Sequence, residues 1–329
     1  MSIWLDNAIL IFCCCVSAWL GAVFGSFLNC AAWRIAHGES FLKGHSHCVS
    51  CGHELGIRDL VPVFSWLAMR GRCRYCKAKI SVRYPLTELF FAVVTVSCLL
   101  RFDLTVLCLR NWIFLCCLFC LSLVDLETFT IPDGCLIVAL AAWVIALPFI
   151  GMSLGEAGLH VLAGVVFGGG ILGLSLILDK ILGKDTLGGG DIKLFGVTGL
   201  YLGMIGTLFV VLFSAVIGLA FAAFLRLKGS GEEAAGGDAA VSKAADNEGK
   251  GGKAADNKGK GGKAVDNKDK GGKAADNEGK GGNAAENAAD EDDAGLGHIP
   301  FGPSISLAAA FMLLFGQGIV AWYLSLLNM

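Results

Sequence analysis

The chain has 329 residues, of which 55% are hydrophobic and 16% are charged, and its net charge is -2. Its mean hydropathy is +0.67, whereas a soluble globular domain is seldom more than about half apolar. This composition excludes an ordinary soluble domain, and the near-neutral charge gives no reason to expect a nucleic-acid partner.

The apolar residues are gathered into blocks separated by polar loops. A block of about 18–20 apolar residues can cross the hydrocarbon core of a bilayer as one helix. The block 194–226 is long enough to cross twice, with a tight turn near Gly203 to Gly206. We therefore predict an all-α polytopic membrane protein with about eight transmembrane helices. The blocks cover residues 8–33, 86–100, 104–124, 135–151, 158–178, 194–226 and 304–327.

The first block, within residues 1–33, is predicted to be a retained span. A secretory signal peptide has a basic stretch before its apolar run, and here the only preceding charge is Asp6. Lysine and arginine are concentrated in loops 34–83 and 179–193 and just after the seventh span. Because positive loops stay in the cytoplasm, we expect these loops on the cytoplasmic side and both termini on the other.

The polar loop 34–85 contains two C-x2-C motifs. Paired cysteine knuckles are typical of a four-thiolate zinc site, in which the closed coordination is structural. Two disulfides or redox thiols are the alternatives, but a cytoplasmic loop disfavours lasting disulfides. We predict a small zinc-knuckle domain over 34–85. Its ligands are Cys48, Cys51, Cys73 and Cys76, and the nearby His45, His47 and His53 are not needed to complete a tetrahedron.

Two aspartates stand at the ends of apolar blocks on the predicted cytoplasmic side. Asp125 follows the block 104–124 directly, and Asp191 follows three glycines before the block 194–226. Paired carboxylates that share one proton can activate water for attack on a peptide bond. The alternative is structural, with Asp191 capping the next helix and Asp125 paired with Lys193 or an arginine. The residues alone leave both interpretations open.

A low-complexity segment over 230–297 separates the predicted core, 86–229, from the last span, 298–329. It repeats a unit of about ten residues, such as GKAADNEGKG. Mixed charge without large apolar side chains cannot bury enough surface to offset chain entropy. We predict a disordered cytoplasmic insertion.

Six motifs then occur in an order that resembles the bacterial prepilin peptidases, the type 4 prepilin leader peptidase/N-methyltransferases of the GxGD aspartyl protease class. A lone GxGD motif is weak, whereas six in order are specific. Apart from the insertion, they span nearly the whole chain. They are GSFLNCAAWRI (25–35), the two C-x2-C knuckles, RYPLTEL (83–89), VDLETFTIPD, GGGDIKL and IPFGPSISLAA (299–309).

The resemblance implies an enzyme of the bacterial inner membrane. Members cleave the basic leader from type IV prepilins or type II secretion pseudopilins at the cytoplasmic face. They then methylate the new N-terminal residue with S-adenosylmethionine. Carried over by motif, the catalytic residues are Asp125 and Asp191, the glycines that let substrate approach are Gly188 and Gly190, and the four family cysteines are those named above.

The residues that contact the leader and the methyl donor are less clearly indicated by the sequence. Glu88 and Glu127 are candidates for contact with the basic leader, although either could be a structural partner. The loop 34–85 is the place expected for the methyl donor, but no glycine-rich Rossmann signature appears and no residue is assigned. A transporter with intramembrane carboxylates and a non-catalytic assembly scaffold are the competing functions. The lipid bilayer and the pilin substrates are the expected partners, and no oligomeric state is predicted.

Overall fold

The computed structural model describes residues 2–40, 44–183, 187–245 and 300–327, with side chains at all of these except 2–6, 224–245 and 327. The described residues form helices and irregular loops, and the only β-pairing among them is two isolated bridges. The all-α prediction is confirmed. The helices are α1 (Ser2–Ala36), α2 (Phe64–Ala68), α3 (Arg83–Phe102), α4 (Val106–Thr128), α5 (Asp133–Ala146), α6 (Leu154–Leu182), α7 (Gly189–Ala245) and α8 (Gly302–Leu327).

Helix ends follow from local sequence. Helix α4 begins where the Thr105 hydroxyl accepts a hydrogen bond from the Cys108 N–H at 3.2 Å, which satisfies one unpaired donor of the first turn. Helix α6 begins with a capping box between Ser153 and Glu156 and ends at Gly183, whose φ of 66° suits glycine. Each predicted apolar block lies largely in one helix, although the block 135–151 continues beyond α5, which ends at Ala146.

Six of the described helices are long and apolar enough to cross a membrane: α1, α3, α4, α6, α7 and α8. The prediction of a multi-pass membrane protein is confirmed, but the count of eight spans is not. The difference lies partly in the short apolar helix at Asp133–Phe149, which is below the length of a usual span. The other part lies in α7.

Helix α7 is broken at Gly203, where φ is 67° and ψ is -171°. A Cβ on Gly190 would lie 2.7 Å from Ile131, and one on Gly218 would lie 2.6 Å from Phe301, beside the first residue of α8. A straight helix would place Gly190 and Gly218 about 42 Å apart. Ile131 follows Asp125 closely in the chain, and Phe301 precedes Gly302, whose N–H contacts Asp125. The parts of α7 before and after Gly203 therefore both reach the neighbourhood of Asp125, and we infer that α7 folds back at Gly203, where the sequence predicts a turn.

The core of the bundle is formed where α4, α7 and α8 meet. Phe114 and Leu121 of α4, Leu194 of α7 and Ile305 of α8 are all at most 1% exposed and belong to one apolar cluster. In a bilayer, such side chains stabilise helix association through close van der Waals packing, because transfer out of water does not contribute there. This packing fixes the ends of α4, α7 and α8 relative to one another, and the two predicted aspartates lie at those ends.

The chain divides into two units, Met1–Ala222 with Ile299–Met329, and Ala223–His298. In the second unit, the described backbone continues α7 as helix to Ala245, beyond the predicted boundary at residue 229. The charged repeat of residues 246–297 lies outside the described residues. The predicted disorder of the insertion therefore stays a prediction.

Candidate active site

Asp125 lies in the last turn of α4 and is only 4% exposed. Its Oδ2 accepts a hydrogen bond of 3.0 Å from the backbone N–H of Gly302. Gly302 is the first residue of α8, and the first N–H groups of a helix have no partner within the helix and favour a nearby carboxylate. The contact joins residues 177 positions apart and fixes α8 against the end of α4.

Asp191 lies in the first turn of α7, which begins at Gly189. Its side chain is partly buried, and its carboxyl interacts electrostatically with that of Asp125. The structural alternative expected Asp191 to cap a helix that starts at Ile192. Instead, Asp191 lies inside the first turn of α7. The carboxyl groups of the two aspartates that the sequence singled out are close enough for their charges to interact.

The segment after α4 is joined to the start of α7 by two contacts. A Cβ on Gly190 would lie 2.7 Å from the Cβ of Ile131, so only glycine allows this approach. Lys193 Nζ pairs with Asp133 Oδ1 at 2.8 Å, with both side chains more than half exposed. Lys193 therefore forms its ion pair with Asp133 and not with Asp125. The pair adds little stability because it is solvated, so the glycine contact is the stricter constraint.

Gly188 and Gly189 leave open space in front of Asp191. Among the described residues, no atom lies within 4 Å of a Cβ built on Gly189, and a Cβ on Gly188 would meet the Asp191 carboxylate at 3.4 Å. The chain here could admit another backbone close to the carboxylate. This geometry suits the role predicted for Gly188.

The two other carboxylates predicted to contact substrate have protein partners. Glu127 Oε1 pairs with Arg83 Nη1 at 2.8 Å. Glu88 is 7% exposed, and its Oε2 accepts a hydrogen bond of 2.7 Å from the N–H of Val63. These contacts suit the structural interpretation better, and a leader contact for either residue stays a prediction.

The four cysteines of the knuckles converge outside the helical bundle. The Sγ atoms of Cys48, Cys51, Cys73 and Cys76 all lie within 4.8 Å of one another. This spread fits four thiolates around one ion with Zn–S bonds of about 2.3 Å. The histidines predicted as bystanders do not join this group.

The two knuckles repeat one backbone pattern. The N–H of Gly52 bonds to the carbonyl of Cys48, and the N–H of Lys77 bonds to that of Cys73. Both donors have φ above 60°, 68° at Gly52 and 62° at Lys77. Hydrogen bonds from the backbone N–H groups of Cys51 and then Ser50 lower the pKa of the Cys48 thiol to about 6. This favours the thiolate, the form that binds metal.

Gly302 is the site residue that sequence reasoning missed. Its motif, IPFGPSISLAA, contributed to the resemblance, but nothing in the letters indicates that this N–H meets Asp125. The glycine at the first position of α8 was the available signal. A Cβ there would lie 2.7 Å from Asp125 Oδ2.

A bundle of apolar helices that carries two aspartates at helix ends, and a cluster of four cysteines beside it, is the class that the structure defines: a multi-pass membrane protein with a carboxyl pair. Family models agree with this class: the Bacterial Peptidase A24 N-terminal domain matches residues 19–102, and the Type IV leader peptidase family matches residues 112–223. No solved structure matches the chain significantly.

Named relatives show which family of membrane proteins the chain is similar to. The chain is 34% identical to a type 4 prepilin-like proteins leader peptide-processing enzyme of Escherichia coli, over 63% of this chain and 83% of that protein. It is 32% identical to a prepilin leader peptidase/N-methyltransferase of Myxococcus xanthus, over 60% of this chain and 59% of that protein. For one of Burkholderia pseudomallei the identity is 35%, over 61% and 72%. The chain belongs to the type IV leader peptidase family.

Proposed function

We propose that this chain removes the leader peptide from prepilins and then methylates the new N-terminal amine. The adjacency of Asp125 and Asp191, with the Gly302 N–H fixing Asp125, is the observation that carries the peptidase. The names of the relatives, leader peptidase and N-methyltransferase, support both activities.

The chemistry follows from the carboxyl pair. When two carboxyl groups share one proton, the ionised one accepts a proton from water while the protonated one polarises the scissile carbonyl. Water then attacks the carbonyl carbon, and the pair returns a proton to the leaving amine. Asp125 and Asp191 carry these roles jointly. Gly188 leaves the backbone of an extended substrate room beside Asp191, whereas the space beside Gly190 is taken by Ile131.

We place the active face in the cytoplasm and the bundle in the inner membrane. The knuckle domain between α1 and α3 carries much of the positive charge, and positive loops favour the cytoplasmic side. A prepilin or pseudopilin would then present its basic leader at this face with its apolar helix beside the bundle. Glu127 lies two residues beyond Asp125 and could meet the leader if it exchanged Arg83 for a leader cation.

Two further components complete the proposal. One zinc ion held by the four cysteines would join the two knuckles into a folded domain, since a loop of this size lacks a sufficient core. S-adenosylmethionine would supply the methyl group. The zinc site is structural because four thiolates leave no position for a catalytic water.

The test uses membranes that contain the full chain, a prepilin substrate, and S-adenosylmethionine present or absent. Asp125→Asn and Asp191→Asn should each lower the rate of leader cleavage by about 10²–10⁴-fold, because each removes an acid–base group. Asp103→Asn is the matched control, since Asp103 is exposed and lies beyond the opposite end of α4. Normal cleavage by either site variant would contradict the aspartyl mechanism and favour a non-catalytic scaffold.

A further inference from the structure

A cavity of about 280 Å³ lies between the cysteine knuckles and the adjoining ends of α1 and α3. Its size is close to the range of small-molecule sites, about 300–1,000 Å³. Neither Asp125 nor Asp191 lines it, so it is separate from the peptidase site. One face of α1 forms a wall, because its lining residues recur at helical spacing: Ser26, Asn29, Cys30, Trp33 and Arg34.

The lining combines aromatic surface with buried charge of both signs. Trp33, Trp66 and Tyr84 supply aromatic rings, and Trp66 is held in place by a 3.2 Å hydrogen bond from Nε1 to the Ile80 carbonyl. Glu88 and Arg34 also line the cavity and are only 7% and 8% exposed. A largely apolar cavity with a few converging charged groups is typical of a ligand site.

Glu88 has capacity left for a ligand. Its Oε2 accepts from the Val63 N–H, and this is the one hydrogen bond that Glu88 makes to the part of the chain with described side chains. Its Oε1 is therefore available as an acceptor. Burying a carboxylate is costly unless it is paired and hydrogen-bonded, so a cation in the cavity would compensate it.

We propose that this cavity binds S-adenosylmethionine, an inference that rests on the methyl transfer proposed above. The ligand carries an adenine ring, a carboxylate and two cations, the ammonium and the sulfonium. Aromatic rings stack on adenine and attract cations over their faces. Glu88 receives a cation and Arg34 receives the carboxylate, as charge-assisted hydrogen bonds.

The cavity lies on the same side of the bundle as the aspartates. Tyr84 and Glu88 belong to the first turns of α3, and the neighbouring Arg83 pairs with Glu127 at the end of α4. The amine that cleavage releases therefore forms at the helix ends next to this cavity. Its nitrogen attacks the methyl carbon, the methyl–sulfur bond breaks, S-adenosylhomocysteine leaves as a neutral thioether, and the nitrogen gives its proton to solvent.

Glu88→Gln is the sharpest perturbation, because the glutamine amide oxygen can still accept from Val63 while the negative charge is lost. S-adenosylmethionine binding is measured on the purified full-length protein by titration calorimetry, and the melting temperature is measured on the same preparation. We expect the Kd to rise roughly tenfold or more, with a melting temperature that shows the variant is folded. Glu54→Gln is the matched control, an exposed carboxylate of the same domain that does not line the cavity.

Wild-type affinity in Glu88→Gln would overturn the assignment. Because this variant could also fail to fold, light-induced cross-linking of radiolabelled S-adenosylmethionine to the unmodified chain gives a second measurement. Label on peptides that contain Trp33, Trp66 or Tyr84 supports the cavity, and label confined to other peptides overturns it. If the unmodified chain binds no S-adenosylmethionine, the proposed methyl transfer fails as well, whereas the peptidase assignment is unaffected.

Discussion

Replacing Gly302 should slow peptide cleavage, because the Gly302 N–H holds the carboxyl group of Asp125 in position. In Gly302→Ala the new Cβ would lie 2.7 Å from Asp125 Oδ2 and 3.1 Å from its Cγ. Ordinary contacts of this kind need about 3.4 Å or more, so the carboxyl group must retreat by roughly 0.5–1 Å and its 3.0 Å hydrogen bond must lengthen. A hydrogen bond to a charged group is worth about 1.5–3 kcal/mol, and a misplacement of about 1 Å can cost 10²-fold in rate.

The assay compares kcat/KM for prepilin cleavage by purified wild type, Gly302→Ala and Gly318→Ala. Gly318 lies in the same helix, and no atom of the described part of the chain is within 4 Å of its built Cβ, so its variant controls for the change from glycine to alanine. We expect roughly a 100-fold loss in Gly302→Ala alone, with a melting temperature that shows the protein is folded. Equal kcat/KM in the two variants would refute the reasoning that this N–H fixes the aspartate.

The remaining predictions concern the α7 contact and the metal. Gly190→Ala should slow cleavage and lower the free energy of unfolding by about 1–3 kcal/mol through overpacking against Ile131, and adding Ile131→Ala should restore part of both; no recovery would mean that the contact is not the cause. Elemental analysis should find about one zinc per chain, lost in Cys48→Ser/Cys73→Ser but kept in Cys15→Ser, an exposed cysteine of α1. Zinc retained by the double variant would exclude the site.

Much of the architecture follows from the sequence because it depends on local composition. Each apolar block became largely helical, and the turn predicted near Gly203 is a break in α7. The clustering of the four cysteines was also predictable, since two C-x2-C motifs typically bring four sulfur atoms together. Asp125 and Asp191 could be paired because both stand at helix ends on one predicted side of the membrane.

Contacts between distant segments could not be predicted in this way. The Gly302 N–H meets Asp125 only because α4 and α8 pack together across 177 positions. Likewise, Lys193 could have paired with either Asp125 or Asp133, and the position of Ile131 against Gly190 brings it to Asp133. The number of spans could not be predicted from the length of the apolar blocks alone. Whether α7 counts as one span or two depends on how its parts before and after Gly203 pack, as well as on their hydropathy.

The two proposed sites differ in how the chain depends on them. A new N-terminal amine exists only after cleavage, so loss of Asp125 or Asp191 removes both products even where the methyl-donor cavity is intact. Loss of Glu88 should weaken binding of the methyl donor and leave both aspartates in place, because the cavity does not include either aspartate. The ion pair between Arg83 and Glu127 joins the helices that carry the two sites, so the released amine has a short path between them. Methylation thus depends on prior cleavage, whereas cleavage does not depend on methylation, and this order is what the proposed reaction sequence requires.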